Sequence, residues 1–283
     1  MKKIFNNILW LALSLLAYTA CSPEGYDSVN VSGLPKISEA SVSISVAKEK
    51  ATFHLDNKDL VPVWIFTNGD KVDRIAQNDY VRSYALPGDY SVEVKLYNKN
   101  GYSDGSVTKQ FKIESTPTLT YLTGSGSKTW IWDKSVAGHF GCGASGGDGL
   151  GWWKAGANEK AGTGMYDDEL TFTSQMGYTF NPGPDGKIYV NKDSKYKAEY
   201  YGKDGNDYDA PCDLVTTTFK FQQDGSTVYI VLPQNTMLSY IPNPEALTNP
   251  KYKILSLTND LLELAVDNGG IAWHYRFIPK SSK

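Results

Sequence analysis

Apolar and polar residues alternate in short runs from position 41 to near the C-terminus, and a turn signal closes each run after about 8–12 residues. Alternation sends successive side chains to opposite faces of a strand, so one face of each run is built for a core. Ser41-Val42-Ser43-Ile44-Ser45-Val46 and Ala51-Thr52-Phe53-His54-Leu55 show the pattern early, and Glu169-Leu170-Thr171-Phe172-Thr173 repeats it later. In the last run Ile271, Trp273, Tyr275 and Phe277 share a face, with Ala272, His274 and Arg276 opposite. No stretch carries the 3.6-residue period of a convincing amphipathic helix. The chain is therefore expected to be all-β. At 283 residues it is long enough for two cores, and its net charge of −3 argues against general nucleic-acid binding. It has 19 Tyr, 7 Trp and 10 Phe against 3 His and 4 Met, so it is rich in flat amphipathic side chains and poor in proton-transfer groups.

The N-terminus reads as an address. Lys2 and Lys3 precede the apolar residues 7–18 (NILWLALSLLAY), too few to cross about 30 Å of hydrocarbon but of signal-peptide length. Ala17-Tyr18-Thr19-Ala20-Cys21 ends the segment and resembles a bacterial lipobox, which implies that Cys21 becomes the lipid-bearing first residue. Ordinary secretion with cleavage after Ala20 is the alternative, and both readings take the chain out of the cytoplasm. Residues 1–21 are read as the signal peptide ending at Cys21, and residues 22–35 as a flexible tether. Contact with the membrane is expected through the N-terminal lipid only. In an oxidising compartment Cys142 and Cys212 are read equally well as a disulfide or as two separate buried thiols.

Residues 36–114 hold about seven short strand patterns at the spacing of a β-sandwich. Trp64-Ile65-Phe66 with Asn68-Gly69-Asp70, Tyr84 with Pro87-Gly88-Asp89-Tyr90-Ser91-Val92, and Asn98 with Gly101 resemble the PKD family of immunoglobulin-like domains. The resemblance implies a spacer with Trp64 in its core. Residues 115–126 (STPTLTYLTGSG) read as a linker.

Residues 127–283 show a second series of strands joined by turns such as Asp185-Gly186 and Asp224-Gly225, expected to close as a meander β-barrel or a jelly-roll-like β-sandwich. Trp130 opens the series and Arg276 sits on its last strand. The pair is similar to the lipocalin closure in which arginine stacks over tryptophan. The regularity breaks between Ala137 and Asp168, a stretch that holds ten of the 26 glycines and the adjacent Trp152-Trp153. A long strand-poor loop in a compact domain usually serves function. It contains Gly141-Cys142-Gly143-Ala144-Ser145-Gly146 and Gly143-Ala144-Ser145-Gly146-Gly147, which match nucleotide-loop and nucleophile-elbow patterns but lack the surrounding α/β units. Asp167-Asp168-Glu169 and the acids at 204, 207 and 209 read first as solvated turn residues. Their oxygens suit a structural calcium ion, although the spacing is not that of an EF-hand. No other cofactor and no transition-metal site is expected.

The lipobox, the PKD-like module and the stretch from Gly138-His139-Phe140-Gly141 through Trp152-Trp153 and Asn158-Glu159-Lys160 to Tyr166-Asp167-Asp168 together resemble the surface glycan-binding lipoproteins of gut-bacterial polysaccharide-utilisation loci. The resemblance implies a non-catalytic outer-membrane protein facing the cell exterior, which captures polysaccharide, β-glucan first, beside a glycan importer complex. An indole stacks on the C–H face of a pyranose while nearby polar groups meet its hydroxyls. The candidate ligand-binding residues are Trp152, Trp153, His139, Tyr166, Asn158 and Tyr201, and no catalytic residue is assigned. A glycoside hydrolase or lyase with paired acids, and a structural or partner-binding lipoprotein, are the competing expectations.

Overall fold

The computed structural model describes residues 33–202 and 204–281. Cys21, the signal segment and residues 22–32 of the tether lie outside them. Two compact units divide the chain. One contains the described residues up to 45 with 52–81 and 91–111, and the other contains 46–51, 82–90 and the residues from 112 onward.

The first eight strands are β1 (Val42–Ala47), β2 (Lys50–Leu55), β3 (Val61–Asn68), β4 (Lys71–Ala76), β5 (Asp79–Ser83), β6 (Gly88–Asn98), β7 (Gly101–Tyr102) and β8 (Val107–Ile113). They form a three-stranded sheet, β1-β2-β5, and a five-stranded sheet, β4-β3-β6-β7 with β8 on β6, giving an immunoglobulin-like sandwich. Phe53 of the smaller sheet meets Trp64 at 5.5 Å and Phe66 at 5.2 Å on the larger. Trp64 is wholly buried and its indole N–H donates to the Gln77 carbonyl at 2.7 Å, the core role expected of it.

Residues 115–126, expected to be a linker, contain the helix α1 (Pro117–Thr123). Thr116 caps its start through the Leu119 N–H, Pro117 occupies its first turn and Gly124 follows its end. Leu119 and Leu122 are buried in the core of the second unit, and the Leu122 carbonyl accepts the Trp130 indole N–H at 2.9 Å.

That unit runs through β9 (Ser127–Trp132), β10 (Phe140–Ala144), β11 (Trp153–Lys154), β12 (Glu169–Thr173), β13 (Gly177–Asn181), β14 (Lys187–Val190), β15 (Tyr208–Pro211), β16 (Val215–Thr218), β17 (Lys220–Asp224), β18 (Thr227–Val231), β19 (Lys251–Leu257), β20 (Leu262–Asp267) and β21 (Ile271–Pro279). The hydrogen-bonded order is β16-β13-β12-β9-β21-β20-β19-β18-β17, with every neighbouring pair antiparallel. β16 and β17 continue as one strand broken at Phe219, the first half on β13 and the second on β18, so the order closes into a meander barrel of eight staves. The barrel, rather than the jelly roll, is the architecture of this unit.

Alternation fills the barrel. Trp130, Trp132, Leu170, Phe172, Tyr178, Phe180, Tyr252, Leu264, Tyr275 and Phe277 are all buried. Arg276 faces the other way from Tyr275 and Phe277, and its guanidinium bonds Asp133 at 2.8 Å and Glu263 at 2.7 Å. The expected stack of Arg276 on Trp130 is therefore absent, since the two side chains lie on opposite faces of the wall. Lys128 instead places its ammonium 4.9 Å from the Trp130 ring.

Candidate functional site

An up-and-down barrel gathers alternate connections at one end. Here those are the long segments 133–168, 182–214 and 232–250 and the short turn 268–270, whereas every connection at the other end is short. The third long connection enters the mouth. Met237, Leu238, Ser239, Tyr240 and Ile241 are buried. A buried loop needs partners for its peptide groups, and the barrel tyrosines supply them. The Tyr178 hydroxyl donates to the Met237 carbonyl at 2.7 Å, the Tyr252 hydroxyl accepts from the Leu238 N–H at 3.3 Å, and the Tyr275 hydroxyl donates to the Tyr240 carbonyl at 3.0 Å. The Trp132 indole N–H donates to the Ser239 hydroxyl at 2.9 Å, and that hydroxyl donates to Asp168. The inside of the barrel is thus a packed core.

Asp168 is buried, and only one of its oxygens is bonded. Burial pushes its carboxyl well above the usual carboxylate range. The Ser239 hydroxyl opposes this, while Asp167, Asp185 and Asp209 add to it. A raised pKa means that the folded state holds the proton longer than the unfolded chain does. The related stability is complete below the unfolded value of about 3.8 and is lost as pH rises through the folded value. Asp168→Asn removes this dependence, so its melting temperature is expected to gain on the wild type as pH rises above about 4. Parallel pH profiles of the two proteins in calorimetry would contradict this reading.

The glycine-rich stretch holds β10 and β11, not an irregular ligand loop. β10 continues the stave begun by β9 and pairs with the first half of β21, from Phe140 opposite Tyr275 to Ala144 opposite Ile271. The hairpin 145–152 then folds flat onto the wall. A side chain at Gly149 (φ +79°) would sit 2.7 Å from the His274 backbone nitrogen, and one at Gly143 would sit 2.8 Å from that of Gly151. Glycine here permits backbone to lie on backbone. The hairpin is fastened by Asp267, which accepts from the Ser145 hydroxyl at 2.8 Å and the Gly146 N–H at 2.6 Å. The Asp148 carbonyl also meets His274 Nδ1 at 2.9 Å.

The six candidate residues separate under this geometry. His139 is wholly buried. Its Nδ1 faces the Val136 carbonyl at 2.7 Å and therefore carries the hydrogen, which leaves Nε2 to accept from the Tyr166 hydroxyl at 2.7 Å. Burial lowers its pKa and keeps it neutral. Tyr166 is half-buried, and its oxygen also takes the Lys160 N–H at 2.9 Å. Both groups were expected to face a ligand. Instead they hold residues 156–166 to the barrel, because a buried imidazole in a folded loop needs a partner on each nitrogen. Asn158 is exposed but occupies a left-handed turn (φ +56°). Trp153 is half-buried edge-on to Phe140 at 5.7 Å, with the Lys160 ammonium 5.0 Å from its ring. Tyr201 is 41% exposed and packs edge-on to Tyr208 at 5.6 Å. Trp152 is 63% exposed, more than any other large hydrophobic among the described residues. The structure brings His139, Tyr166, Lys160 and Trp153 together as packing, and leaves Trp152 and Tyr201 facing water.

The acids singled out by sequence are engaged in turns. Asp209 accepts the Gly164 N–H, Asp207 accepts the Tyr240 hydroxyl and Asp204 bonds Asn206. Among the described residues no group of three His, Cys, Asp or Glu side chains is arranged to hold a metal ion. Cys142 and Cys212 are separate thiols.

No family model matches the chain, and no curated protein matches it. Among solved structures it is similar to the crystal structure of the PKD1 domain of Vibrio anguillarum Epp, at 18% identity over 28% of this chain and 93% of that one, with a TM-score of 0.22.

Proposed function

We propose that this chain is a non-catalytic, lipid-anchored binder of extracellular polysaccharide, with Trp152 as its principal contact. The observation that carries the reading is an indole 63% exposed on a hairpin whose backbone is fixed to a barrel wall. The backbone N–H of Trp152 donates to the Cys142 carbonyl at 3.0 Å, at the root of the hairpin fastened by Asp267 and the Asp148–His274 contact. A platform held in place before binding loses little entropy when a ligand docks. Its flat face suits the C–H face of a pyranose, and Ser145, Asp148 and Lys154 in the same hairpin region are exposed polar groups for the hydroxyls. One stacking contact is weak, so the ligand is a polymer that presents many equivalent rings. β-Glucan is the first candidate. In this reading Cys21 carries the lipid, the sandwich is a spacer, and a glycan importer in the outer membrane receives the captured chain.

Electrophoresis through gels that contain individual polysaccharides tests this, with reducing ends assayed in parallel. Retardation by at least one polymer without release of reducing ends is the expected outcome. Passage through every gel at the control rate, or release of product from a retarding polymer, would overturn it.

A further inference from the structure

Behind the same hairpin, on the outer face of the barrel, lies a cavity of about 260 Å3. Its walls are Tyr229 of β18, Lys251 and Lys253 of β19, and Gly146 and Gly147 of the hairpin, with Asn249 at its edge. The register explains the hollow. Lys253 stands between Tyr229 and Ala265 on neighbouring strands, and a methyl group at the third position leaves space that the taller side chains enclose. Lys251 and Lys253 are two apart on one strand and project to the same side. Lys251 rests its ammonium 4.0 Å from the Tyr229 ring. Among the described residues neither ammonium forms an ion pair, because the one carboxylate in the cavity, Asp267, is taken up by Ser145, Gly146 and Gly269.

Lys251 and Lys253 share one nearby carboxylate, Asp267. Against the upward push of its burial, the Gly146 and Gly269 N–H groups, the Ser145 hydroxyl and Lys253 hold it below the usual carboxylate range. The two cations exceed the negative charge beside them, and an anion between them relieves their repulsion. The charge sets the kind of anion. Two lysines and one aspartate leave a net charge of +1, which matches a monoanion and disfavours a phosphate dianion placed near Asp267. The volume lies just under the usual range of about 300–1,000 Å3 for drug-sized ligands and suits a single ring. Asn249 and the Tyr229 hydroxyl supply polar contacts beside the charged pair.

We propose that this cavity binds one uronic acid residue of an acidic polysaccharide, its carboxylate between Lys251 and Lys253. The inference rests on the glycan-binding reading and narrows it, since Gly146, Gly147 and Trp152 belong to one hairpin and a single polymer meets both features.

Calorimetric titration of the full chain with an oligogalacturonide, a neutral β-gluco-oligosaccharide and a sulfated oligosaccharide decides it, using the wild type and the Lys251→Gln/Lys253→Gln double variant. Both lysines are on the outer surface, so unchanged melting verifies the fold of the variant. The wild type is expected to bind the uronide with an affinity that falls as salt is raised. The double variant is expected to lose about tenfold or more of that affinity and to keep its affinity for the neutral sugar. Uronide binding that is unchanged in the double variant overturns the assignment, as does sulfated sugar bound as tightly as uronide. Binding of the neutral sugar alone overturns this inference and leaves the glycan reading standing. Failure of all three ligands overturns this inference, and it overturns the glycan reading as well when the chain also passes every polysaccharide gel at the control rate.

Discussion

Trp132→Ala is expected to destabilise the barrel by about 3–5 kcal/mol, the range for emptying a fully buried aromatic site. Trp132 is 2% exposed and stands where the barrel wall, the glycine-rich stretch and the mouth segment meet. Its ring packs on Phe277 at 4.6 Å, Tyr275 at 5.6 Å, Phe140 at 5.7 Å and His139 at 6.1 Å. Its N–H also anchors Ser239, the link between the mouth segment and Asp168. Alanine leaves a cavity too hemmed in by aromatic rings to collapse, and removes one donor from a buried polar chain. Trp132→Phe restores the packing without the N–H, so it should cost clearly less, about 1–3 kcal/mol. Urea unfolding followed by tryptophan emission measures both. Equal losses in the two variants would show that the hydrogen bond, not the ring, dominates.

The parts of this fold that strand period controls were legible in sequence. Leu170 and Phe172 alternate with Thr171 and Thr173, and the burial of β12 follows that alternation residue by residue. The buried Trp64 and Trp130 follow the same rule. What escaped depends on distance along the chain or on too few residues. Helix α1 has seven residues, too short to show a period against Pro117 and Gly124, although Thr116 before proline and glycine after Thr123 were its start and stop signals. The mouth segment is buried only because Tyr178 and Tyr275, remote in sequence, satisfy its carbonyls. No local pattern encodes such a pairing.

Around the candidate site the same limit redistributed roles. Glycines between 138 and 164 looked like a ligand loop, yet Gly143 and Gly149 are needed where backbone packs on backbone. His139 and Tyr166 looked like ligand donors because polar groups in a glycine-rich run have no visible partner in sequence. In space they are each other's partners. The lysine cavity was invisible beforehand. Nothing local marks Lys251 and Lys253 in the sequence, and only the register with Tyr229 and Ala265 makes them a wall.

The adjacent tryptophans make the second strong prediction, because Trp152 at the end of the hairpin faces water while Trp153, the first residue of β11, packs on the barrel. Trp153 packs on Phe140 beneath Lys160, so Trp153→Ala is expected to cost about 1–3 kcal/mol of stability. Trp152 packs on nothing comparable. Trp152→Ala should leave stability within about 0.5 kcal/mol of the wild type and remove the stacking face from any bound sugar ring. Loss of one central aromatic anchor in an interface of few contacts weakens binding by about tenfold to a hundredfold. The decisive measurement is therefore the dissociation constant of the Trp152→Ala variant for the polysaccharide that most retards the wild type, taken beside its melting temperature. A fall in affinity of about tenfold or more at unchanged melting temperature is the result expected. Wild-type affinity in a folded Trp152→Ala variant would show that the exposed indole is not where the polymer binds.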